Sequence, residues 1–353
     1  MPDEIAAPLS GRRRNRRRVL GGVATAIVVA AVFLFILPRI ANYRDVWSVL
    51  RDVGWAEALL LFGATVLNLV TFAPPWMVAL PGLGFRPAFM LSQASTALSL
   101  VAPAGAAVGM AGSYGLLRRW GFGTGAVALA VALTGLWNQL ANLTFPIVGL
   151  ALLSSANEDH PALRSAAFVG LGVLVVGLTA FVLALSSPRR ARQIGNFAAR
   201  AVSRVRHWLR RRPVVWNGES LARFRRSALG LLRRRWHLLT LATLVGHLTV
   251  FVLLLVCLRV VGVSESQISW IEAFAAWSLV RILGALPITP GGVGIVEVGL
   301  SGALVAFGAS NVDAVAATLL YRALTVLPTL GLGMLAAATW RSHRPRNGLE
   351  SPP

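Results

Sequence analysis

The chain has 353 residues, 56% of them hydrophobic and only 13% charged, and its mean hydropathy is +0.68. A soluble domain carries about 25% charged residues, so this composition excludes a single water-covered core, and soluble enzyme folds with it. The 34 basic residues are all arginine and face 13 acidic ones, for a net charge of +21. They stand in blocks between apolar runs, which makes membrane topology, and not nucleic acid, their first meaning.

A spanning helix needs about 20 mainly apolar residues. The Arg-rich tail 1–18 is followed by an apolar run over 19–37, longer than the core of a cleaved signal peptide. It reads as a retained signal-anchor span with the N-terminus inside. Further spans are predicted over 56–80, 124–153, 165–187, 236–261 and 314–339. The apolar stretches 88–117 and 271–309 differ, because Pro103-Ala104-Gly105 and Pro287-Ile288-Thr289-Pro290-Gly291-Gly292 break them near the middle. Irregular backbone at membrane depth survives only when it is buried in protein or lines a wet cavity. Both stretches are therefore predicted to be re-entrant helical hairpins. The single cysteine, Cys257, lies in an apolar run and leaves no intramolecular disulfide or CxxC metal site.

With the N-terminus inside, 27 of the 34 arginines fall on the inner side. That asymmetry fits the positive-inside rule, and counting each hairpin as two full crossings would leave the parity unchanged. The expected product is a multi-pass cell-membrane protein with cytoplasmic N- and C-termini, including the tail 340–353.

The same map contains a repeat. One unit covers 56–153 and the other 236–339, joined by the linking span 165–187 and an Arg-rich cytoplasmic loop over 188–235. Pro103 and Gly105 fall 187 residues before Pro290 and Gly292, and Ala126-Val127-Ala128 falls 188 before Ala314-Val315-Ala316. The hairpins would enter from opposite sides. The predicted fold class is thus an all-α polytopic bundle with two re-entrant hairpins in an inverted repeat, an arrangement that places substrates near the midplane where broken helices meet.

Ionisable groups inside spans are functional candidates by default. Arg281 and Glu297 lie in the two arms of the second hairpin, and His247 and Arg322 in the flanking spans. Glu297 either pairs with Arg281 or Arg322 to lock the hairpin or takes part in binding a ligand. Two guanidinium groups against one carboxylate leave a surplus charge suited to an anionic headgroup. Asn68, Asn138, Gln139 and Asn142 are expected to bond between helices, and His247 to pack with a hydrogen-bond partner. The loop 188–235 holds fifteen arginines and one acid, Glu219. Arg210, Arg211, Arg212, Arg233, Arg234 and Arg235 are its expected contacts with anionic lipids, on an interfacial amphipathic helix. No catalytic motif is present, and the reading calls for no metal and no cofactor.

The segment Leu286-Pro287-Ile288-Thr289-Pro290-Gly291-Gly292-Val293-Gly294-Ile295-Val296-Glu297 resembles the signature of the transmembrane region of lysylphosphatidylglycerol synthases, a flippase-like membrane family, and Tyr321-Arg322 resembles its second recurring element. The resemblance covers nearly the whole chain. It implies a helical bundle with re-entrant hairpins, a role in moving a lipid or lipid-linked sugar between leaflets, and a site built on Pro290, Gly292, Glu297 and Arg322. In the first unit Pro103-Ala104-Gly105 is followed by no acid, and Pro75-Trp76 stands where the family often has an arginine. Only thirteen residues follow Trp340, so lysine transfer by a soluble domain is not expected of this chain.

The expectation is a non-enzymatic transporter of an anionic phospholipid or a polyprenyl-phosphate-linked glycan. Its substrate-binding residues are Arg281, Pro290, Gly291, Gly292, Gly294, Glu297 and Arg322. The alternative is a non-transporting anchor for a cell-envelope glycosyltransferase, with envelope-biosynthesis enzymes as partners.

Overall fold

A computed structural model describes residues 42–102, 105–156, 169–172, 175–176, 179, 218–285 and 289–339. The expected anchor span 19–37, both terminal tails, most of the linking span and Arg210, Arg211 and Arg212 lie outside them. Every regular element among the described residues is helical, and the protein is an all-α membrane protein. Four helical stretches, 55–79, 124–155, 225–260 and 311–336, are long and apolar enough to cross a bilayer.

The chain enters through a short helix α1 (Tyr43–Arg51) and then α2 (Trp55–Thr71) and α3 (Pro74–Ala79). Hydropathy alone reads the last two as one span. Pro74 and Pro75 separate them, because proline has no N–H to continue α2 but fits the first turn of a new helix. Helices α4 (Phe85–Val101) and α5 (Gly105–Arg119) follow, then the long α6 (Thr124–Ala156). The second unit comprises α7 (Gly218–Val260), α8 (Trp270–Ala285), a 3₁₀ turn at Pro290–Gly292, α9 (Ile295–Ala306) and α10 (Asn311–Thr339).

Helix α7 has 43 residues and so runs for about 65 Å, twice the ~30 Å of a hydrocarbon core. The last part of the predicted loop, 218–235, is therefore helical and continuous with the span. Arg233 and Arg234 are exposed on it and Arg235 is partly buried. Arginine, leucine and alanine are good helix formers, so the apolar-to-basic change in this stretch ends the span without ending the helix.

Small residues let the helices of each hairpin approach. A Cβ on Gly105 would sit 1.9 Å from the Ser99 carbonyl oxygen, and one on Gly109 would sit 2.1 Å from Ser99 Oγ. In the second hairpin Gly292 lies against the Cα of Gly284, and Gly299 against Leu283 and Val280. In lipid, where apolar surface gains little by leaving the solvent, such close packing is a main source of helix association. The arms have 17, 15, 16 and 12 residues, about 18–26 Å at 1.5 Å per residue. The hairpin ends touch: a Cβ on Gly291 would lie 2.9 Å from Leu100 Cδ2.

The first arm of each hairpin packs on the last long helix of the other unit, α4 on α10 and α8 on α6. Each of these contacts has a glycine at its centre. Gly333 of α10 faces Ala97, and Gly149 of α6 faces Ser278 and Ala275. Helices α2 and α7 pack on each other, with Thr71 Oγ1 2.8 Å from Thr249 Oγ1. These three contacts map onto themselves when the two units are exchanged. Large apolar side chains such as Leu59, Phe62, Leu241 and Met334 stay exposed, as a lipid-facing surface requires.

Gly333→Ala places its methyl carbon 2.3 Å from Ala97 Cβ. It is expected to destabilise the protein by about 1–3 kcal/mol, measured as a lower thermal unfolding midpoint in detergent. Gly331→Ala, with nothing within 4 Å, should be neutral or stabilise by up to ~1 kcal/mol.

Candidate functional site

The turn between α8 and α9 is shaped by its glycines. Gly291, Gly292 and Gly294 have φ of 62°, 66° and 89°, a left-handed region in which side chains are strained. This reverses the chain within a few residues and leaves Gly294 at the N-cap of α9. Glu297 is then the third residue of the helix, where its carboxylate reaches back: the Gly294 N–H donates to Glu297 Oε2 at 2.6 Å. The carboxylate satisfies one orphan amide and sits at the positive end of the helix dipole.

The other carboxylate oxygen accepts from Arg322. Arg322 Nε donates to Glu297 Oε1 at 2.6 Å, and Nη2 donates to the Gly291 carbonyl at 3.0 Å. The side chains of Arg322 and Glu297 are 14% and 3% exposed. One guanidinium from α10 thus holds both the carboxylate of α9 and the turn itself. Of the two pairings open to Glu297, the one with Arg322 forms and the one with Arg281 does not.

Arg281 has a different environment. Its Nε and Nη2 donate to Asn142 Oδ1 at 3.1 and 2.7 Å, and Nη2 also donates to His247 Nδ1 at 2.8 Å. The guanidinium carbon lies 4.8 Å from the ring centre of Trp277. Among the described residues no carboxylate pairs with it. An arginine only donates, so His247 Nδ1 must accept, and the imidazole proton belongs on Nε2, facing Asn138 Oδ1 at 3.1 Å. The ring is therefore neutral in this arrangement. Amide, imidazole and indole solvate the Arg281 charge, and none of them cancels it. Phe72 and Phe145 contact the His247 ring edge-on and close the aromatic side of this cluster.

A cavity of about 250 Å³ opens between α6, α8, the turn and α10, lined among others by Asn142, Trp277, Arg281, Gly291, Tyr321 and Arg322. Both guanidinium groups line it. Pro290, Gly292 and Gly294 form the turn without lining the cavity, and Glu297 stands behind Arg322. Arg233, Arg234 and Arg235 are remote: Arg235 precedes His247 by twelve residues on α7, about 18 Å along the helix. Among the described residues no three His, Cys, Asp or Glu side chains gather as a metal site.

Asn138 and Asn142 do bond between helices, to His247 and Arg281. Gln139 instead accepts within its own helix, from Asn142 Nδ2 at 3.4 Å. Sequence reasoning weighed these groups singly and missed Trp277 and the convergence on Arg281. A signal was present in the spacing: Trp277 and Arg281, like Asn138 and Asn142, are four apart and share a helix face.

The family model for the lysylphosphatidylglycerol synthase TM region matches residues 23–333, and the chain belongs to that family. The match includes both hairpins and every residue of the cavity. No curated protein matches the sequence.

Glu297→Gln removes the carboxylate that Arg322 pairs with and leaves its charge in the bundle, an expected loss of about 3–5 kcal/mol. Glu297→Gln combined with Arg322→Met removes both charges. Its unfolding midpoint in detergent should lie closer to wild type than that of Glu297→Gln alone.

Proposed function

We propose that this member of the lysylphosphatidylglycerol synthase TM-region family moves an anionic amphiphile between leaflets, and that Arg281 holds its phosphate. The candidates are an anionic phospholipid and a polyprenyl-phosphate-linked glycan. The observation that carries the reading is a guanidinium that pairs with no carboxylate among the described residues, on the wall of a cavity inside a membrane bundle. A charge at membrane depth is costly unless it is paired, and a phosphate oxygen can accept from Nη1, the nitrogen that takes no part in the bonds to Asn142 and His247. Asn142 and His247 hold Arg281 in place while leaving its charge for a ligand. Arg322 and Gly291 form the adjoining wall, and Glu297 fixes that wall and takes no direct part in binding. This role is transport without chemical change of the lipid.

The arginine asymmetry favours the cell membrane with both termini cytoplasmic, and several features support alternating access by two inverted units. The hairpin arms are short for full crossings, the hairpin ends touch, and the main contacts between units survive exchange of the units. Broken helices meeting at mid-depth are where transporters of this kind hold their substrates.

Lipids copurifying with the wild type and with Arg281→Gln test the binding role. One anionic class should be enriched over the bulk membrane in the wild type, and its excess should fall at least tenfold in Arg281→Gln. Bulk composition in both samples would contradict the proposal.

Orientation has its own check in a Cys257→Ala background. A cysteine at Ser310 should react with an impermeant reagent from outside, and one at Arg86 only from inside.

A further inference from the structure

A second cavity lies on the other side of Tyr321 and Arg322, which line both. It encloses about 170 Å³ between α2, α4 and α10, several times the ~30 Å³ share of one water in the liquid. Its polar walls are Asn68, Ser92, Gln93, Thr96, Thr325 and Thr329. Asn68 and Gln93 are 6% and 3% exposed, yet Asn68 Nδ2 and Gln93 Oε1 have no hydrogen-bond partner among the described residues. Gln93 is anchored by its other end, Nε2 donating to the Leu69 carbonyl at 3.1 Å. The Thr325 and Thr329 hydroxyls donate to the carbonyls of Tyr321 and Thr325 at 2.8 and 2.9 Å. What these threonines offer the cavity is therefore acceptor capacity.

The chamber is uncharged apart from Arg322, which is already engaged by Glu297 and Gly291. It is also the counterpart of the Arg281 site. Helices α2, α4 and α10 surround it as α7, α8 and α6 surround Arg281. Gln93 falls 188 residues before Arg281, one more than the 187 that separates the two hairpin breaks. Where one unit has a guanidinium, the other has a neutral amide.

We infer that the Asn68–Gln93 chamber is a polar subsite for the hydroxyl-bearing part, a polyol or sugar, of the amphiphile whose phosphate Arg281 holds. The inference rests on the phosphate-binding role proposed above. A hydroxyl donates and accepts, so it can meet Gln93 Oε1 and Asn68 Nδ2 together. An ammonium headgroup cannot satisfy Asn68 Nδ2, and no carboxylate lines the chamber among the described residues to pair with it. Unpaired polar groups that await a ligand hydroxyl also discriminate against analogues lacking it.

The test measures binding of three lipids to the full-length protein: phosphatidylglycerol, phosphatidylinositol and phosphatidylmethanol. All are monoanionic phosphodiesters, and the last has no hydroxyl. The wild type should bind at least one polyol lipid about tenfold more tightly than phosphatidylmethanol, equivalent to ~1.4 kcal/mol. Gln93→Met and Asn68→Leu should each bring that ratio to within about twofold and leave phosphatidylmethanol binding unchanged. Arg281→Gln should weaken all three lipids alike. Thr325→Val, which deletes a hydroxyl at constant volume, provides a third variant should either amide replacement fail to fold. Equal affinities in the wild type, or a preference that survives the amide variants, would overturn the subsite and leave a chamber that holds water only. Binding of all three lipids that is indifferent to Arg281→Gln would overturn instead the phosphate role on which it rests.

Discussion

A guanidinium inside a membrane-spanning bundle must be met by groups that accept its hydrogen bonds, and this chain meets its two in different ways. Arg322 has a carboxylate and a turn carbonyl. Arg281 has an amide and a neutral imidazole. The first solution neutralises the charge and fixes the backbone. The second holds the side chain while keeping the charge. Much else in the second unit serves this division: the left-handed glycines bring Gly294 and Glu297 within reach of each other, and α10 delivers Arg322 to Glu297 and to the Gly291 carbonyl.

The first unit shows what the same scaffold does without the charges. Its hairpin packs through Gly105 and Gly109, and its first arm carries the neutral Gln93, within one residue of the offset that would match it to Arg281. The result is a neutral chamber beside a cationic cavity, with Tyr321 and Arg322 between them. Asymmetry of this kind suits a ligand with two chemically distinct parts, one charged and one hydroxylated. The lack of an acid after Pro103-Ala104-Gly105 fits the same picture, since α6, which stands in the first unit as α10 does in the second, carries no arginine to hold.

Much of this was legible in the residues. Proline and glycine breaks in apolar runs marked both hairpins, because those residues alone stop a helix that hydropathy would continue. The offsets of 187 and 188 residues are the sequence basis for reading two related units. The choice of partner for Glu297 was not legible, since Arg281 and Arg322 both lie within reach along the sequence and only the facing of α8 toward α6 and α7 separates them. The break at Pro74 was hidden by a continuous apolar window, and the extension of α7 by its arginines, which lower hydropathy without lowering helix propensity. Asn68 was expected to bond between helices, but its Nδ2 has no partner among the described residues, and Gln93 stood unmarked in an apolar arm. Burial without a partner is a property of packing in three dimensions, and spacing alone does not encode it.

The account depends on Arg281 acting on a ligand and Arg322 acting on the fold. Transbilayer movement of the copurifying anionic lipid, labelled on an acyl chain, in proteoliposomes tests this most directly. The wild type should move the lipid well above the rate of protein-free vesicles. Arg281→Gln, with an unfolding midpoint near that of the wild type, should fall to the protein-free rate. Movement at the wild-type rate by a folded Arg281→Gln protein would contradict the account.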